Sequence, residues 1–223
     1  MDDNAATILQ DKFLNRFFNS SIGSHFYLTG GTALARFYFH HRESLDLDFF
    51  TQNQTQDFSL VNRAVLQIAY DLQLQILNQV TTDTFLQYIF VDGDQTPLKV
   101  DIVRDIPVHF GDIVSREHVR LDALENIGSN KILAVFGRVD AKDFIDLYWI
   151  LHHTSFSFEH LYALAGQKDL GLFELYFAYA LQQVSKINQL PRMLQPLDWD
   201  ALVLFYQELA QMLLLRIKPD GLD

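Results

Sequence analysis

The pattern of apolar residues changes near residue 115, and this change limits the folds open to the chain. Before it, short apolar runs are separated by turn-forming residues, a pattern typical of β-strands. After it, apolar residues recur at three- and four-residue spacing, which is typical of amphipathic helices. We therefore predict an α+β protein, with an α/β domain on a mixed sheet at residues 1–115 and a helical domain at residues 116–223.

The same patterns predict the individual elements. Strands are expected at 25–28, 44–50, 74–80, 85–91 and 97–103, with the turn Asp92-Gly93-Asp94 between the last two. Helices of the first domain are expected at 5–20, from Thr32 onward, and from about Ser59, as the N-cap, to Leu72. Helices of the second domain are expected at 121–137, 140–152, 158–165, 169–187 and 198–216.

Composition excludes several kinds of site. The chain has no cysteine, so a disulfide framework, a thiolate zinc site and a cysteine nucleophile are all ruled out. Its acidic N-terminal segment lacks the basic flank and apolar core of a signal peptide. Charged residues interrupt the longest apolar stretches, so we expect no membrane span and a cytoplasmic protein.

The formal net charge is −11, and neither half of the chain carries an excess of Lys and Arg. Proteins that bind nucleic acids usually present a basic face, because neutralising phosphates supplies much of the affinity. An RNA substrate would therefore have to be held by a local basic patch. A protein or small-molecule substrate faces no such requirement.

Asp46-Leu47-Asp48 places two carboxylates in an otherwise apolar strand. Residues two apart in a strand point to the same face, so the carboxylates lie about 7 Å apart there. Two neighbouring like charges are unfavourable without a cation between them. Oxygen ligands alone suit Mg²⁺ or Mn²⁺. The alternative for the motif by itself is an edge strand with its polar face in water.

A glycine turn precedes this strand. Gly30-Gly31-Thr32 joins a short apolar strand to the start of a helix, fifteen residues before Asp46. Glycines allow the backbone to approach a phosphate closely, and the N–H groups of a helix start favour an anion. The pattern predicts a nucleotide-phosphate cradle to which Thr32 can add a hydroxyl, although a glycine pair is often only a turn.

Asp101 is the single carboxylate within the mainly apolar strand Leu98–Val103. If that strand pairs beside the Asp46-Leu47-Asp48 strand, the three acids can hold two metal ions. One ion would lower the pKa of an attacking hydroxyl, and the other would bind a triphosphate. The alternative is a carboxylate that faces solvent.

These features resemble the nucleotidyltransferase superfamily, which has a glycine-rich helix start, an Asp-x-Asp strand and a third acid on a later strand. More narrowly, GGTALARFYFHHRESLDLDFF resembles the motif of the AbiEii/AbiGii toxin family. A second block, Asn130-Lys131-Ile132-Leu133-Ala134 with Arg138 and then Lys142-Asp143-Phe144-Ile145-Asp146-Leu147, is similar to the same family. The resemblance covers roughly residues 25–150 and implies a nucleotidyltransferase-like fold for the first domain.

The resemblance also implies an activity. An enzyme of this kind moves a nucleoside monophosphate from an NTP, such as ATP, to a hydroxyl acceptor, and Mg²⁺ or Mn²⁺ is its cofactor. The family suggests the toxin of a bacterial toxin–antitoxin pair, with tRNA or a protein as acceptor and a cognate antitoxin as partner. It assigns Lys131 to the phosphates and Asp143 to catalysis. This chain has Lys142 where the family often has Arg, and Thr32 where Ser is common.

Arg42 and Ser44 complete the set of predicted nucleotide-binding residues. The fork of Arg42 suits a triphosphate, and a salt bridge to Glu43 or Asp48 is the alternative. Asp143 and Asp146 share a helical face near Lys142 and Arg138, so a structural ion-pair network is the alternative there. Two rival functions stay open: nucleotide transfer to a small molecule such as an antibiotic, and a catalytically silent relative that binds nucleotide or a partner.

Overall fold

The computed structural model describes residues 3–217, which form two compact units. The first unit contains the residues up to Tyr38 together with Ser44–Ala123. The second contains the short segment Phe39–Glu43 together with the residues from Leu124 onward. The polypeptide therefore enters the second unit twice.

The first unit is built on a seven-stranded mixed sheet with the order β3-β4-β5-β2-β1-β7-β6. β2 runs parallel to β5 and β1 runs parallel to β7, while the other neighbouring pairs are antiparallel. The strands are β1 (Tyr27–Thr29), β2 (Leu47–Thr51), β3 (Gln75–Thr81), β4 (Phe85–Val91), β5 (Pro97–Arg104), β6 (Val114–Arg116) and β7 (Val119–Leu121).

Three longer helical segments and a 3₁₀ turn at Gly23–His25 accompany this sheet. The three segments are α1 (Asp3–Phe18), α2 (Gly30–Thr32, continued as a π-helix over Ala33–Tyr38) and α3 (Phe58–Asp71). The carboxylate of Asp57 accepts hydrogen bonds from the backbone N–H groups of Ser59 and Leu60, so Asp57 is the N-cap of α3. The prediction that Ser59 caps this helix was wrong, because the N-cap lies two residues earlier, at Asp57.

Aromatic packing separates the two faces of the central strand. Phe49 of β2 stacks on Phe17 of α1 with ring centroids 3.9 Å apart, and Phe13 packs against both Phe49 and Phe90 of β4. Because side chains alternate along a strand, Leu47 and Phe49 are fully buried while Asp48 points to the opposite face. Core packing on one side of β2 thus fixes its carboxylate on the other.

The second unit is helical. Its helices are α4 (Leu124–Gly137), α5 (Ala141–His153), α6 (Phe158–Lys168), α7 (Glu174–Gln182, followed by a 3₁₀ turn at Gln183–Lys186) and α8 (Trp199–Ile217). Tyr206 of α8 is fully buried and donates a 2.7 Å hydrogen bond to the carbonyl oxygen of Phe144 in α5. The segment Phe39–Glu43 pairs with the chain ahead of α8 through an isolated bridge between Arg42 and Met193.

The predicted α+β class, with a mixed sheet first and helices after it, is confirmed. The condition set for the third acid is met, because the strand of Asp101 (β5) pairs with the strand of Asp48 (β2) in parallel orientation. The expectation of helices only after residue 115 was wrong. β6 and β7 extend the sheet to Leu121, and α4 starts at Leu124. Strands of three residues are too short to show periodicity in a sequence.

No helix within residues 3–217 is both long enough and apolar enough to cross a membrane.

Candidate active site

Two of the predicted acids stand side by side on the sheet. In the parallel pairing of β2 with β5, Asp48 lies directly opposite Asp101. Both are partly exposed, whereas their strand neighbours Leu47, Phe49 and Ile102 are buried. Each carboxylate is therefore fixed at one strand position by the packing of the other face. Asp46 lies one residue before β2, and its side chain is 48% exposed.

Gly30 brings the backbone against this pair. Its φ of +68° lies in the left-handed region that glycine adopts without strain. A methyl group added at Gly30 would stand 2.7 Å from Oδ2 of Asp48, closer than van der Waals contact allows. Both observations favour glycine at this position, and they place the start of α2 next to the Asp48 carboxylate.

The hydroxyls of Thr32 and Ser44 order the loop that leads to the acids. Thr32 is completely buried, donates a hydrogen bond to the carbonyl oxygen of Asp46, and lies 2.9 Å from Oγ of Ser44. Both predicted nucleotide-binding hydroxyls are thus engaged within the protein in this structure. They position Asp46 relative to the glycine turn.

Two side chains that were not predicted complete the surroundings of Asp101. Gln87 of β4 donates to its Oδ1 at 3.0 Å, and Nζ of Lys99 lies 2.8 Å from its Oδ2. The same Nζ is 3.9 Å from Oδ2 of Asp46. Partial burial lowers the pKa of Lys99, but the carboxylates of Asp101, Asp46 and Asp48 outweigh burial and raise it.

Lys99 was accessible to sequence reasoning, because a residue two before Asp101 shares its face of the strand. Gln87 was not, since its position beside Asp101 depends on the antiparallel register of β4 with β5.

The donor chemistry of this group fits a divalent cation. Asp46, Asp48 and Asp101 offer only carboxylate oxygens, the ligands that Mg²⁺ and Mn²⁺ prefer. Within residues 3–217, however, no three His, Cys, Asp or Glu side chains already stand in a metal-binding group. In this structure the ammonium of Lys99 is the cation that the acids surround. A metal ion would require Lys99 to move aside and the carboxylates to close by a rotamer change.

The remaining predicted residues lie in the second unit, in a buried ion cluster of His41, Arg42, Lys131, Asp143 and Asp146. Arg42 forms a two-bond fork with Asp146, Nε to Oδ1 at 2.7 Å and Nη2 to Oδ2 at 2.6 Å. Lys131 contacts Asp143 at 2.8 Å and Asp146 at 2.7 Å, and Nε2 of His41 lies 2.8 Å from Oδ1 of Asp146.

Arg138 adds an outer member to this cluster, with its Nε 2.6 Å from Oδ2 of Asp143. Its side chain is 64% exposed, whereas those of Asp143 and Asp146 are almost completely buried. The cluster therefore has a buried centre at Asp146 and an exposed edge at Arg138.

Burial alone would raise the pKa of Asp146, but the charges of Lys131 and Arg42 outweigh it and hold this pKa far below the ordinary value. Burial would likewise lower the pKa values of Lys131 and Arg42, yet the carboxylate of Asp146 outweighs it and raises both. For His41 burial prevails and lowers the pKa, so the ring is neutral. Its Nδ1 is buried without a hydrogen-bond partner.

The structure therefore divides the predicted site residues between the two units. Gly30, Gly31, Thr32, Ser44, Asp46, Asp48 and Asp101 belong to the first unit, and Arg42, Lys131 and Asp143 belong to the second. Phosphate contact by Arg42 and Lys131 stays a prediction. In this structure both cations form ion pairs with carboxylates. Sequence reasoning did not find Asp146 as the partner of Arg42, because the two are 104 residues apart.

Comparison with known families gives a match over residues 12–211, to the model described as nucleotidyl transferase AbiEii toxin of the type IV toxin–antitoxin systems. The match spans nearly the whole chain and both groups of residues described above. The chain belongs to this family. It is thus a nucleotidyltransferase of the AbiEii toxin family, and membership implies an NTP substrate and a cognate antitoxin.

Solved structures show the same fold. JHP933 from Helicobacter pylori is 20% identical with a TM-score of 0.60, and the alignment covers 96% of this chain and 93% of that one. MenT4, a nucleotidyltransferase toxin from Mycobacterium tuberculosis H37Rv, is 12% identical with a TM-score of 0.58, and the alignment covers 94% and 84%. At these identities the likeness establishes the fold alone. No curated protein matches the chain.

Proposed function

We propose that this AbiEii-family enzyme transfers a nucleoside monophosphate from an NTP to a hydroxyl of tRNA or of a protein, in a reaction that depends on Mg²⁺ or Mn²⁺. One observation carries the proposal: Asp48 and Asp101 are in register on adjacent parallel strands, with the backbone of Gly30 against Asp48. A phosphate cradle and a carboxylate pair at one place are what nucleotidyl transfer requires.

In the proposed reaction, the acceptor oxygen forms a bond to the α-phosphorus of the NTP. The bond from that phosphorus to the bridging oxygen breaks, and pyrophosphate leaves. The proton of the acceptor hydroxyl passes to a carboxylate of the site. A divalent ion, when bound, neutralises phosphate charge and makes the hydroxyl more acidic.

The residues of the first unit have distinct proposed roles. Asp46, Asp48 and Asp101 would hold the metal, and the fixed strand positions of Asp48 and Asp101 support this role. The backbone of Gly30-Gly31-Thr32 would receive the phosphates, and the close approach of Gly30 to the Asp48 carboxylate supports this role. Thr32 and Ser44 would act by holding the Asp46 loop in place.

In the second unit, Arg42, Lys131 and Asp143 would act on the proposed reaction indirectly, by stabilising the helical unit. Their charges are matched within the cluster centred on Asp146, and three of the four buried contacts are 2.7 Å or shorter. Contact of Arg42 or Lys131 with the triphosphate would require those ion pairs to open, at a cost of several kcal/mol for each unpaired buried charge.

The test is incubation of the protein with each α-³²P-labelled NTP, Mg²⁺, and either total RNA or a cell lysate. We expect one NTP to transfer label to one macromolecular band, and the sensitivity of that band to ribonuclease or protease identifies the acceptor. Asp48→Asn and Asp101→Asn should each reduce the labelling by at least about a hundredfold, the scale of losing an electrostatic contact at the reacting phosphate.

A matched control uses Asp112→Asn, which changes an exposed acid of the first unit outside the carboxylate pair. It should label as the wild type does. Equal labelling by the Asp48→Asn enzyme would refute the assigned site, and undiminished labelling in EDTA would refute the metal requirement. Label found only in small molecules would favour a small-molecule acceptor instead.

A further inference from the structure

The second unit contains a basic pocket that the proposed chemistry does not use. The turn from α4 to α5 and the segment after α7 enclose a cavity of about 580 Å³. Its charged lining residues are Arg138, Asp140, Lys142 and Lys186, and the amides of Asn188 and Gln189 also line it. We name this cavity the basic pocket.

Positive charge is concentrated here in a protein whose net charge is −11. Asp140 is the one acid of the lining, and its carboxylate accepts a 3.0 Å hydrogen bond from the N–H of Lys142 as the N-cap of α5. Arg138 is already paired with Asp143, so Lys142 and Lys186 carry the positive charge that is open to a ligand. Lys142 and Lys186 are exposed, and neither forms an ion pair with another residue in the range 3–217. Two uncompensated ammonium groups therefore share one concave surface.

The start of α5 adds to this potential. The helix has 13 residues, and the N–H groups of its first turn carry partial positive charge towards the pocket residues Ala141 and Lys142. Ammonium groups, a guanidinium and amide donors around one cavity are the donors that a phosphate group attracts. The remaining lining residues are apolar, so these polar groups are the ones that would bind a phosphate.

We propose that the basic pocket binds a phosphate group in the backbone of an RNA acceptor. The acceptor assignment rests on the proposed function, whereas the phosphate site rests on the pocket alone. An enzyme with this net charge repels RNA at long range, so RNA affinity must come from a local group of cations. The basic pocket supplies such a group without any change to the carboxylate site.

The experiment measures binding and not transfer. The probe is a fluorescein-labelled 20-nucleotide single-stranded RNA, followed by anisotropy over a series of salt concentrations. The double variant Lys142→Gln/Lys186→Gln is compared with Lys12→Gln/Arg63→Gln, which removes two exposed charges of the first unit. All proteins carry Asp48→Asn, so turnover cannot alter the probe.

We expect the pocket variant to weaken RNA binding about tenfold at moderate salt. The slope of log affinity against log salt should become shallower by roughly 0.7 for each phosphate of the single strand that the variant no longer neutralises. The control variant has the same net charge and should change the affinity less than about twofold. Affinity for free NTP, measured by calorimetry with otherwise wild-type protein, should be equal in both.

Three results would overturn the proposal. Unchanged RNA affinity in the pocket variant would show that the pocket does not bind the RNA backbone. Equally weakened binding in both double variants would show an effect of net charge alone. Weaker NTP binding with unchanged RNA binding would assign the pocket to the nucleotide. Failure of the labelling reaction on RNA would refute the proposed acceptor and leave this binding result standing.

Discussion

Asp146→Asn tests whether the buried ion cluster stabilises the helical unit. Asp146 is completely buried and accepts the fork of Arg42, a contact from Nε2 of His41, and the ammonium of Lys131 at 2.7 Å. An asparagine has nearly the same shape but no charge. The substitution leaves a guanidinium and an ammonium with too little negative charge in a site that excludes water.

The expected decrease in the free energy of unfolding is large. Breaking a buried ion pair by removing one partner costs about 3–5 kcal/mol, because the remaining charge is buried without compensation. Arg42 loses the carboxylate that it holds in its fork, whereas Lys131 keeps Asp143 at 2.8 Å. One unpaired charge is therefore left, which keeps the expected decrease within about 3–5 kcal/mol. Single domains are stable by only about 5–15 kcal/mol, so this is a substantial part of the total.

Tryptophan fluorescence reports on this unit selectively. The chain has two tryptophans, and both Trp149 and Trp199 lie in the helical unit. With a urea dependence of about 2 kcal/mol per molar, the unfolding midpoint should fall by roughly 1.5–2.5 M. As a control, Glu159→Gln removes the exposed pair with Arg216 and should cost less than about 1 kcal/mol. A decrease in Asp146→Asn as small as in this control would refute the reasoning.

Three further outcomes are expected. Gly30→Ala should destabilise the protein by about 1–3 kcal/mol and reduce NTP turnover, because of the positive φ and the clash with Asp48. In thermal melts the control Gly137→Ala, whose added methyl group meets open space, should be neutral or stabilising by up to about 1 kcal/mol. The folded-state pKa of His41 is lowered, so below the ordinary value of about 6.5 the unfolded chain binds more protons than the folded protein. The free energy of unfolding therefore decreases as the pH is lowered. His41→Gln should make the free energy of unfolding in urea less dependent on pH between pH 7 and 5. Lys99→Met should tighten Mn²⁺ binding about three- to tenfold in titration calorimetry, since a competing charge is removed; weaker binding would contradict this.

Local patterns were sufficient to predict β1 to β5, five strands of the sheet of the first unit. The alternation of apolar and polar residues around Asp48 and Asp101 indicated which face of the strand each carboxylate takes. The two strands pair because their apolar faces pack on the same side of the sheet. The glycine turn was also visible in the sequence, because a glycine pair between an apolar strand and a helix start indicates a turn, and Gly30 adopts a positive φ there. β7 was missed, since its parallel pairing with β1 depends on a contact between Leu28 and Leu121 that no local pattern contains.

The place of Arg42 in the buried cluster could not be predicted from local patterns, although an ion-pair network around Asp143 and Asp146 was the stated alternative there. Arg42 lies only four residues before Asp46, so sequence proximity suggested that it serves the same site. Its contacts are instead with Asp146, because the segment Phe39–Glu43 packs within the helical unit. A cation that binds phosphate and a cation that forms a buried fork have the same sequence signature. Only the tertiary contacts distinguish them.

The charges at the buried centre of the cluster are balanced, and this bears on how the second unit would attract an anion. Arg42 and Lys131 face the two carboxylates of Asp143 and Asp146, while His41 is neutral. Arg138 lies at the exposed edge, because its side chain is 64% exposed and that of Lys131 only 9%. Arg138 also lines the basic pocket. An anion can therefore be attracted to this unit while Lys131 keeps both of its carboxylates, which avoids the cost of an unpaired buried charge.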